Sequence, residues 1–475
     1  MYGPKTALVD LGGRSYSYRD VDLISSSSAR KLMKLGVRKG DRVVVISQSK
    51  AAVVILYFAC QKIGAILVPS NIRLSDREIL ETVSKVTPKI IVVSDSLSYR
   101  YRELIARAGI RSEVLEEIEK GKEEDELELE DQDLESPSMI LFTGGTTGEP
   151  KGAVLSNRAI IFNALNTVLS WKLSERDKTV LVYPLFHTGG WNVLTIPLLI
   201  CGGSVIMIEK FDASLVLRTI EEMKVTAFSG VPAMVAQISE SEYFERAELS
   251  SLRFVKSGGG TTPENVAEKF RKKRIKFYQG YGLTEAGPNL FYSSDEDLAH
   301  PYSLGRKSLF VDLRLIDEEG NESDEGELLV RGPITFSGYF EEPEKTSETV
   351  VNGSVRTGDV LRRDRDGFYY FVGRKKFMYK SGGENVYPSE VEKVLESYPN
   401  VVESAVIGVP DEKWGEVGIA YIEVRGELNL EDMKNWLFTK IAKYEIPKYF
   451  KIVDSIPKTG AGKKDYTLLR RWFDG

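Results

Sequence analysis

The sequence predicts an α/β protein: a large N-terminal domain of helix-covered, mostly parallel sheets, followed by a small α+β C-terminal domain on a hinge. Three observations support this prediction. The chain has 475 residues, more than a single typical core requires. Short β-branched runs alternate with helical patterns through the first 255 residues, and the C-terminal part loses that alternation. We place the domain boundary after residue 373, so that the domains are residues 1–373 and 374–475.

In the N-terminal part, segments with a helical pattern lie between short runs of β-branched residues. Residues 42–46 predict a buried strand. The apolar segment 51–63 predicts a core helix, because charged residues bracket it and it is too short to span a bilayer. Alternating strands and helices form parallel sheets covered by helices. Further strands are predicted at residues 65–68, 89–93, 180–182, 204–208, 225–228 and 253–255.

The C-terminal part has the pattern of a small α+β unit. Residues 388–390, Pro-Ser-Glu, are typical of a helix start. The glycine- and lysine-rich segment 373–376 predicts the joint between the domains. The remaining predicted elements are strands at 404–409 and 419–424 and a helix at 430–443.

Composition and charge argue against several functions. The formal net charge is −6 and the sequence pI is about 5.5, so we expect no nucleic-acid partner. Cys60 and Cys201 lie in apolar stretches, which favours buried thiols over a disulfide or a metal site. We expect no secretory signal, no membrane-spanning segment and a cytoplasmic location. A homodimer is compatible with the sequence.

The densest local signal is a glycine-rich loop at residues 141–152. Apolar residues that predict a strand are followed by small, flexible and hydroxylated residues and then by Lys151. Glycines allow backbone N–H groups to approach an anion, and Thr143, Thr146 and Thr147 add hydroxyl donors. The common nucleotide-binding loop requires Gly-Lys before Ser or Thr, which this loop lacks. From composition alone, a phosphate cradle and a flexible turn are equally good interpretations.

A resemblance decides between them. Residues 143–152, Thr-Gly-Gly-Thr-Thr-Gly-Glu-Pro-Lys-Gly, resemble the phosphate loop of the adenylate-forming superfamily. That superfamily comprises acyl-CoA synthetases, aryl-CoA ligases, adenylation domains and firefly luciferase. Gly144 stands where the family usually has serine, which removes one hydroxyl but not the cradle. The resemblance implies an ATP-binding loop formed by Thr143, Gly144, Gly145, Thr146, Thr147, Gly148 and Lys151.

Four further segments resemble elements of the same superfamily. Residues 281–285, Tyr-Gly-Leu-Thr-Glu, resemble the element whose tyrosine lies near adenine and whose glutamate helps to hold Mg²⁺. Residues 356–359, Arg-Thr-Gly-Asp, resemble the element whose aspartate binds the ribose hydroxyls. Residues 257–260 resemble a turn that packs against adenine, and 184–190 resemble the segment that places a histidine beside the acyl carboxylate. The implied nucleotide-binding residues are Gly258, Gly259, Gly260, Gly280, Tyr281, Gly282, Thr284 and Asp359.

The remaining matches lie in the C-terminal part. Residues 373–376, Gly-Arg-Lys-Lys, resemble the hinge, where Arg374 would contact the nucleotide and Lys376 would be the pivot. Residues 457–463 resemble the loop that carries the adenylation lysine, here Lys463. The segment after the hinge would line the channel for the thiol of coenzyme A, with Gly382, Gly383 and Glu384.

These resemblances imply an AMP-forming acyl-CoA synthetase. A carboxylic acid would attack ATP to give an acyl adenylate and pyrophosphate, and the thiol of CoA would then take the acyl group and release AMP. Both reactants of the first step are anions, so positive charge must offset their repulsion. ATP, Mg²⁺ and coenzyme A are the expected cofactors. The resemblance assigns catalysis to Lys463, Glu285, Thr147 and His187, and the metal to Glu285 and Thr147.

The acid is the least defined part of the prediction. We favour a medium- or long-chain fatty acid, because Gly280 and Gly287 leave space in the pocket. An aryl- or succinylbenzoate-type CoA ligase and an adenylation enzyme that loads a carrier protein are alternatives. A catalytically inert binding homologue is a third alternative. It is disfavoured because the chain keeps Lys463, Glu285 and Asp359. By resemblance the pocket lies among His187, Trp191, Val231, Gly258, Gly280, Tyr281 and Gly287, with Phe186 and Trp191 as apolar walls.

Overall fold

Helices and strands alternate along the N-terminal part of the computed structural model, which describes residues 2–121, 129–144, 150–459 and 463–474. The predicted α/β fold, with a large N-terminal domain and a small C-terminal domain, is confirmed. The described α-helices are Tyr18–Lys34, Ala51–Lys62, Asp76–Val86, Asp95–Ser98, Arg102–Ala108, Leu115–Glu119, Asn157–Ser170, Thr195–Cys201, Ala213–Met223, Pro232–Glu240, Glu264–Lys272, Pro343–Thr349, Pro388–Leu395, Leu430–Leu437 and Tyr466–Asp474.

Three sheets with mostly parallel pairing form the framework of the N-terminal domain. The largest has the order Gly338–Tyr339, Pro150–Ser156, Pro137–Gly144, Ile66–Pro69, Arg42–Ile46, Ile90–Val93 and Ser112–Val114, and its last five strands are parallel. The second has the order Ser15–Ser17, Thr6–Asp10, Ser204–Met207 and Lys178–Leu181. The third is entirely parallel and consists of Ala227–Gly230, Phe254–Gly258 and Lys276–Gly280.

Antiparallel sheets follow towards the hinge. The sheet next to the joint contains Asp312–Ile316, Glu325–Arg331, Val350–Val351, Ser354–Arg363 and Tyr369–Arg374, and a two-stranded ribbon pairs Phe291–Tyr292 with Arg306–Lys307. The C-terminal domain has its own sheet of Tyr379–Ser381, Glu384–Val386, Val401–Asp411, Gly415–Val424 and Tyr449–Val453. The chain therefore changes sheets between Arg374 and Tyr379, at the predicted joint.

Local sequence explains the helices that frame the site. Helix Ala51–Lys62 is apolar on almost every side, and most of it is buried between the sheets, as the sequence predicts for a core helix. Helix Asn157–Ser170 begins at Ser156, whose side chain accepts a hydrogen bond from the N–H of Ala159. These helices hold the strand ends in fixed positions.

One predicted helix is shorter than expected. The segment 430–443 forms a helix only over Leu430–Leu437. The hydroxyl of Thr439 donates to the carbonyl of Trp436, a side-chain bond that competes with continuation of the helix. Among the described residues, none of the helices has both the length and the apolar character needed to cross a membrane.

Candidate active site

Two neighbouring parallel strands, Phe254–Gly258 and Lys276–Gly280, end side by side with Gly258 opposite Gly280. The carboxyl ends of strands in open α/β sheets form crevices for ligands. A Cβ atom on Gly282 would lie 2.4 Å from the carbonyl oxygen of Gly287, so no larger residue fits there. The nucleotide-binding residues predicted from sequence lie at these two strand ends or directly after them. They are Gly258, Gly259, Gly260, Gly280, Tyr281, Gly282 and Thr284.

Asp359 is the buried carboxylate of the site. It lies opposite Arg374 across two antiparallel strands, and Arg374 Nε is 2.9 Å from Asp359 Oδ1. The hydroxyl of Tyr281 donates to Asp359 Oδ2 over 2.7 Å. Burial raises the pKa of Asp359, whereas Arg374, Tyr281 and Lys463 favour its ionised form. The structure thus brings three predicted nucleotide-binding residues into direct contact.

Glu285 is held by a pair of hydroxyl groups. Thr143 Oγ1 donates to Glu285 Oε1 over 3.3 Å, and the hydroxyl of Tyr339 donates to the same oxygen over 2.9 Å. The ammonium group of Lys151 lies 5.1 Å from the centre of the Tyr339 ring. Tyr339 was not predicted, since no sequence pattern links it to a glutamate 54 positions away. It connects the predicted magnesium residue to the predicted phosphate loop.

The described part of the glycine-rich loop is the base of a β-hairpin. Strand Pro137–Gly144 pairs with Pro150–Ser156, which places Thr143 opposite Lys151 and Gly144 opposite Pro150. The predicted residues Gly145, Thr146, Thr147 and Gly148 lie outside the described residues. The roles assigned to Thr147 therefore remain predictions.

Lys463 reaches this cluster from the C-terminal domain. Desolvation lowers the pKa of Lys463, as does the charge of Arg374, while Asp359 and Glu285 favour its protonated form. The positive charge of Lys463 also lowers the pKa of His187. We call the space among Glu285, Asp359, Arg374 and Lys463 the interdomain cleft. A positive charge on the small domain thus faces two carboxylates of the large one.

The next residue, Lys464, points into the C-terminal domain instead. Its ammonium group lies 2.9 Å from Glu392 Oε2 and 2.9 Å from Glu396 Oε1. The hydroxyl of Tyr466 donates to Glu392 Oε1 over 3.0 Å, and the N–H of Val406 donates to the same oxygen over 2.8 Å. We call Lys464, Glu392, Glu396 and Tyr466 the lysine anchor. It fixes the chain immediately after Lys463.

We expect Lys464→Met to destabilise the protein by about 3–5 kcal/mol at neutral pH, because two largely buried carboxylates would lose their cation. Burial raises the pKa of Glu392 and Lys464 opposes that rise, so without the lysine Glu392 takes up a proton more readily. The destabilisation should therefore shrink as the pH falls towards 5. Urea unfolding at several pH values measures both effects.

Lys458→Met is the control for that experiment. Lys458 pairs with Glu403 in a more exposed position on the same loop, where an ion pair contributes about 0–1 kcal/mol. Equal destabilisation by the two variants would contradict the role of the lysine anchor. A loss at Lys464 that stays constant with pH would contradict its electrostatic origin.

His187 lies at the edge of the cleft in a largely apolar setting. Its ring packs 4.7 Å from the ring of Phe186. Burial lowers the pKa of His187 to about 4, and the charges of Arg73 and Lys463 act in the same direction. The imidazole is thus neutral at pH 7 and can accept or donate one hydrogen bond.

Titration of the histidine ring protons by NMR tests this state directly. The chain has only two histidines, His187 and His300, so the variant His300→Gln assigns both signals. We expect the signal of His187 to stay at its neutral position from pH 8 down to pH 5.5. A midpoint near the ordinary value of about 6.5 would contradict the structural assignment.

The structure places Trp191, which the sequence predicts as a wall of the acyl pocket, in the core of the large domain, and its role as a pocket wall stays a prediction. It is fully buried, its ring lies 5.3 Å from that of Tyr57, and its indole N–H donates to the carbonyl of Leu185. The side chain belongs to the core of the large domain. The sequence alone does not distinguish a tryptophan in the core from a tryptophan in a pocket wall when it lies beside a histidine motif.

The predicted thiol-channel residues form a tight turn in the C-terminal domain. Gly382 and Gly383 have φ angles of +63° and +93°, in the left-handed region that favours glycine. The N–H of Gly382 donates to the carbonyl of Trp414 over 2.9 Å. Glu384 begins the next strand, and Asn385 donates to Glu318 of the large domain. The turn of the predicted thiol-channel residues thus contacts Trp414 and Glu318, whereas Lys463 faces the interdomain cleft.

Magnesium would fit the large-domain side of the cleft. Mg²⁺ is typically bound by one or two carboxylates together with phosphate oxygens and water. Glu285 offers such a carboxylate beside the hydroxyl of Thr143. Among the described residues there is no cluster of three or more His, Cys, Asp or Glu side chains that could hold a metal ion.

Together, the strand-end crevice, the phosphate-loop hairpin and the lysine from a second domain define an ATP-dependent, carboxylate-activating enzyme. Residues 1–340 match the AMP-binding enzyme family, and residues 390–463 match the AMP-binding enzyme C-terminal domain. The chain belongs to this family. It is an acid–thiol ligase that uses ATP and CoA, with Mg²⁺ typical of the family.

Relatives cover nearly the whole chain. A feruloyl-CoA synthase from Amycolatopsis sp is 34% identical over 99% of this chain and 96% of its own length. A long-chain-fatty-acid–CoA ligase from Mycobacterium tuberculosis is 30% identical over 96% and 93%. ATP-bound MatB from Rhodopseudomonas palustris is 28% identical, covers 99% and 96%, and superposes with a TM-score of 0.91, whereas apo MatB gives 0.82. The arrangement of domains is thus more similar to that of the ATP-bound structure.

Proposed function

We propose that this protein condenses an aryl carboxylic acid with ATP to form an acyl adenylate, and then transfers the acyl group to coenzyme A. The observation that carries the first half is the position of Lys463 among Glu285, Asp359 and Arg374. The greater similarity to ATP-bound than to apo MatB supports the same conclusion. Both observations support our proposal that the two domains are arranged here for adenylation.

The first step brings two anions together. A carboxylate oxygen of the acid bonds to the α-phosphorus of ATP, and the bond from that phosphorus to the bridging oxygen of pyrophosphate breaks. Lys463 supplies positive charge where the transition state gains negative charge, and neutral His187 orients the acid. When bound at Glu285, Mg²⁺ would further neutralise the phosphate oxygens. Asp359 would bind the ribose, and Tyr281 and Gly258–Gly260 would contact adenine.

The second step needs a different arrangement. The thiolate of CoA bonds to the acyl carbon, and the bond to AMP breaks. We propose that residues 374–475 rotate about Lys376 relative to residues 1–373, which withdraws Lys463 and brings Gly382, Gly383 and Glu384 to the thiol. Lys376 is exposed next to Phe377, whose ring centre lies 4.6 Å from that of Tyr466. Phe377 and Tyr466 both belong to residues 374–475, so this contact would move with the rotating part and hold the segment after the pivot to it.

The small cavity that Thr188 and Thr284 line does not measure the acid, because its volume is about 10 Å³, room for about one water molecule. The sequence suggested a medium- or long-chain fatty acid. Support for the acid class comes instead from the relatives, of which the feruloyl-CoA synthase is 34% identical and the fatty-acid–CoA ligase 30%. A relative is a feruloyl-CoA synthase, which acts on an aryl acid, while another is a fatty-acid–CoA ligase. We propose an aryl acid as the substrate class.

A panel of acids tests the proposal. Cinnamate-type, benzoate-type, medium-chain and long-chain acids are each incubated with ATP and Mg²⁺, with and without CoA. AMP, acyl-CoA and the exchange of labelled pyrophosphate into ATP are measured. We expect acyl-CoA and AMP in equal amounts from an aryl acid, and little AMP without CoA. Absence of pyrophosphate exchange with every acid would overturn the proposal. Preference for a long-chain acid would overturn only the substrate class.

A further inference from the structure

Helix Pro388–Leu395 of the small domain presents one face to the large domain. The hydroxyl of Ser389 donates to the backbone oxygen of Val372, a large-domain residue, over 2.6 Å. Residues four positions apart lie on one face of a helix, so Lys393 is on the same face as Ser389. That face therefore carries a lysine towards the large domain.

The ammonium group of Lys393 lies over the ring of Tyr302, a large-domain residue, 3.8 Å from the ring centre. A cation this close to an aromatic face is attracted to it, more strongly where water is excluded. Both residues are partly buried. Burial lowers the pKa of Lys393 and the charge of Arg362 adds to that effect, whereas Glu390 and Glu264 favour its protonated form. The contact thus joins the two domains through a partly desolvated cation.

Tyr302 has an unusual backbone conformation. Its φ angle is +63°, in the left-handed region that bulky residues rarely adopt. Glycine reaches this region without the steric cost of a side chain. An aromatic residue held there against its preference indicates that the ring itself has a use. The partner of this ring across the domain boundary is Lys393.

The helix that carries Lys393 also carries part of the lysine anchor. Glu392, the preceding residue, binds Lys464, which directly follows Lys463. Rigid secondary elements transmit a change of position from one end to the other. The contact of Lys393 with the large domain is therefore connected to Lys463 through one helix and one buried ion pair.

We propose that Lys393 and Tyr302 are positioning residues for adenylation, whose contact holds the small domain in the orientation that places Lys463 in the interdomain cleft. This inference rests on the proposed function and names a contact that favours its first arrangement. Rotation of residues 374–475 about Lys376 would carry Lys393 away from Tyr302. A contact that exists in only one of two states shifts the equilibrium towards that state.

The two half-reactions, measured separately on the same enzyme, test this inference. Exchange of labelled pyrophosphate into ATP reports the first, and acyl transfer to CoA from a supplied adenylate reports the second. In a two-state equilibrium the ratio of these rates changes by the same factor as the ratio of the two arrangements. We expect Lys393→Met to lower the ratio of pyrophosphate exchange to acyl transfer by about 10-fold, as loss of a partly desolvated cation–π contact predicts.

Two further variants serve as controls. Lys393→Arg keeps a cation over the ring and should hold the ratio within about threefold of the wild-type value. Arg425→Met removes another contact between the domains, in which Arg425 lies 4.0 Å from Glu240. Both partners of that ion pair are exposed, so we expect the ratio to stay within about twofold of the wild-type value.

Tyr302→Gly tests the other partner with little risk to folding, because glycine suits the left-handed backbone at this position. It should lower the ratio by about the same factor as Lys393→Met. The probes are cinnamate and cinnamoyl adenylate, or the corresponding pair for the most active acid of the panel. An unchanged ratio in both variants, with exchange measurable in the wild type, would overturn this inference alone. No exchange in the wild type with any acid would overturn the proposed function as well.

Discussion

Lys463→Ala will slow formation of the acyl adenylate by about 10²–10³-fold, the usual effect of removing one group that stabilises transition-state charge. The lysine faces Glu285, Asp359 and Arg374 in the interdomain cleft, so its charge would act where the attacked phosphate gains negative charge. Pyrophosphate exchange into ATP, which depends only on the first half-reaction, measures the loss.

The same variant separates the two half-reactions. Transfer to CoA from a supplied acyl adenylate should proceed at the wild-type rate, because the proposed rotation removes Lys463 from the site before the thiol arrives. Lys458→Ala, on the same loop, should change neither step. Equal loss of both half-reactions in Lys463→Ala would contradict the proposed division between the two arrangements.

Asp359→Asn will lower kcat/KM for ATP by roughly 10- to 100-fold, the range expected when a hydrogen bond to a charged group is lost. An amide is nearly isosteric with the carboxylate and can still accept from Tyr281. It would, however, lose the charge that faces Arg374 or present its NH₂ group to that guanidinium. Initial rates at varied ATP measure this effect.

The Asp359 variant also predicts a change in pH dependence. Lys463 must be protonated to supply charge, and Asp359 raises its pKa. Without that carboxylate the pKa of Lys463 falls further, so adenylation activity should decline at a lower pH than in the wild type. Asp324→Asn is a suitable control, because Asp324 forms an exposed ion pair with Arg363. An unshifted alkaline limb would contradict the coupling of Asp359 to Lys463.

The sequence predicts the fold and the local parts of the site well, since both depend on short-range patterns. Strand runs such as 42–46 are recovered because β-branched residues and flanking turns define them locally. The hairpin that places Thr143 opposite Lys151 follows from an apolar strand, a glycine-rich turn and a second apolar strand. The grouping of Tyr281, Asp359 and Arg374 was accessible only through resemblance to a known family.

Contacts between distant segments could not be predicted. Tyr339 bonds to Glu285, and Lys464 to Glu392, across 54 and 72 positions, and neither pair has a local signature. The burial of Asn163 and Asn192 is equally invisible in sequence, because a buried asparagine and a surface asparagine look the same there. Such features emerge only when the packed neighbours of each side chain are known.

The lysine anchor has a consequence for how the enzyme cycles. Because Lys464 is tied to the framework of the small domain, its neighbour cannot leave the cleft by a local loop movement while the rest of that domain stays still. Under the proposed rotation, the orientation of the entire domain would select which bond can be made. A covalent cross-link that locked the two bodies in the present orientation would leave an enzyme able to make its mixed anhydride once and unable to pass it on.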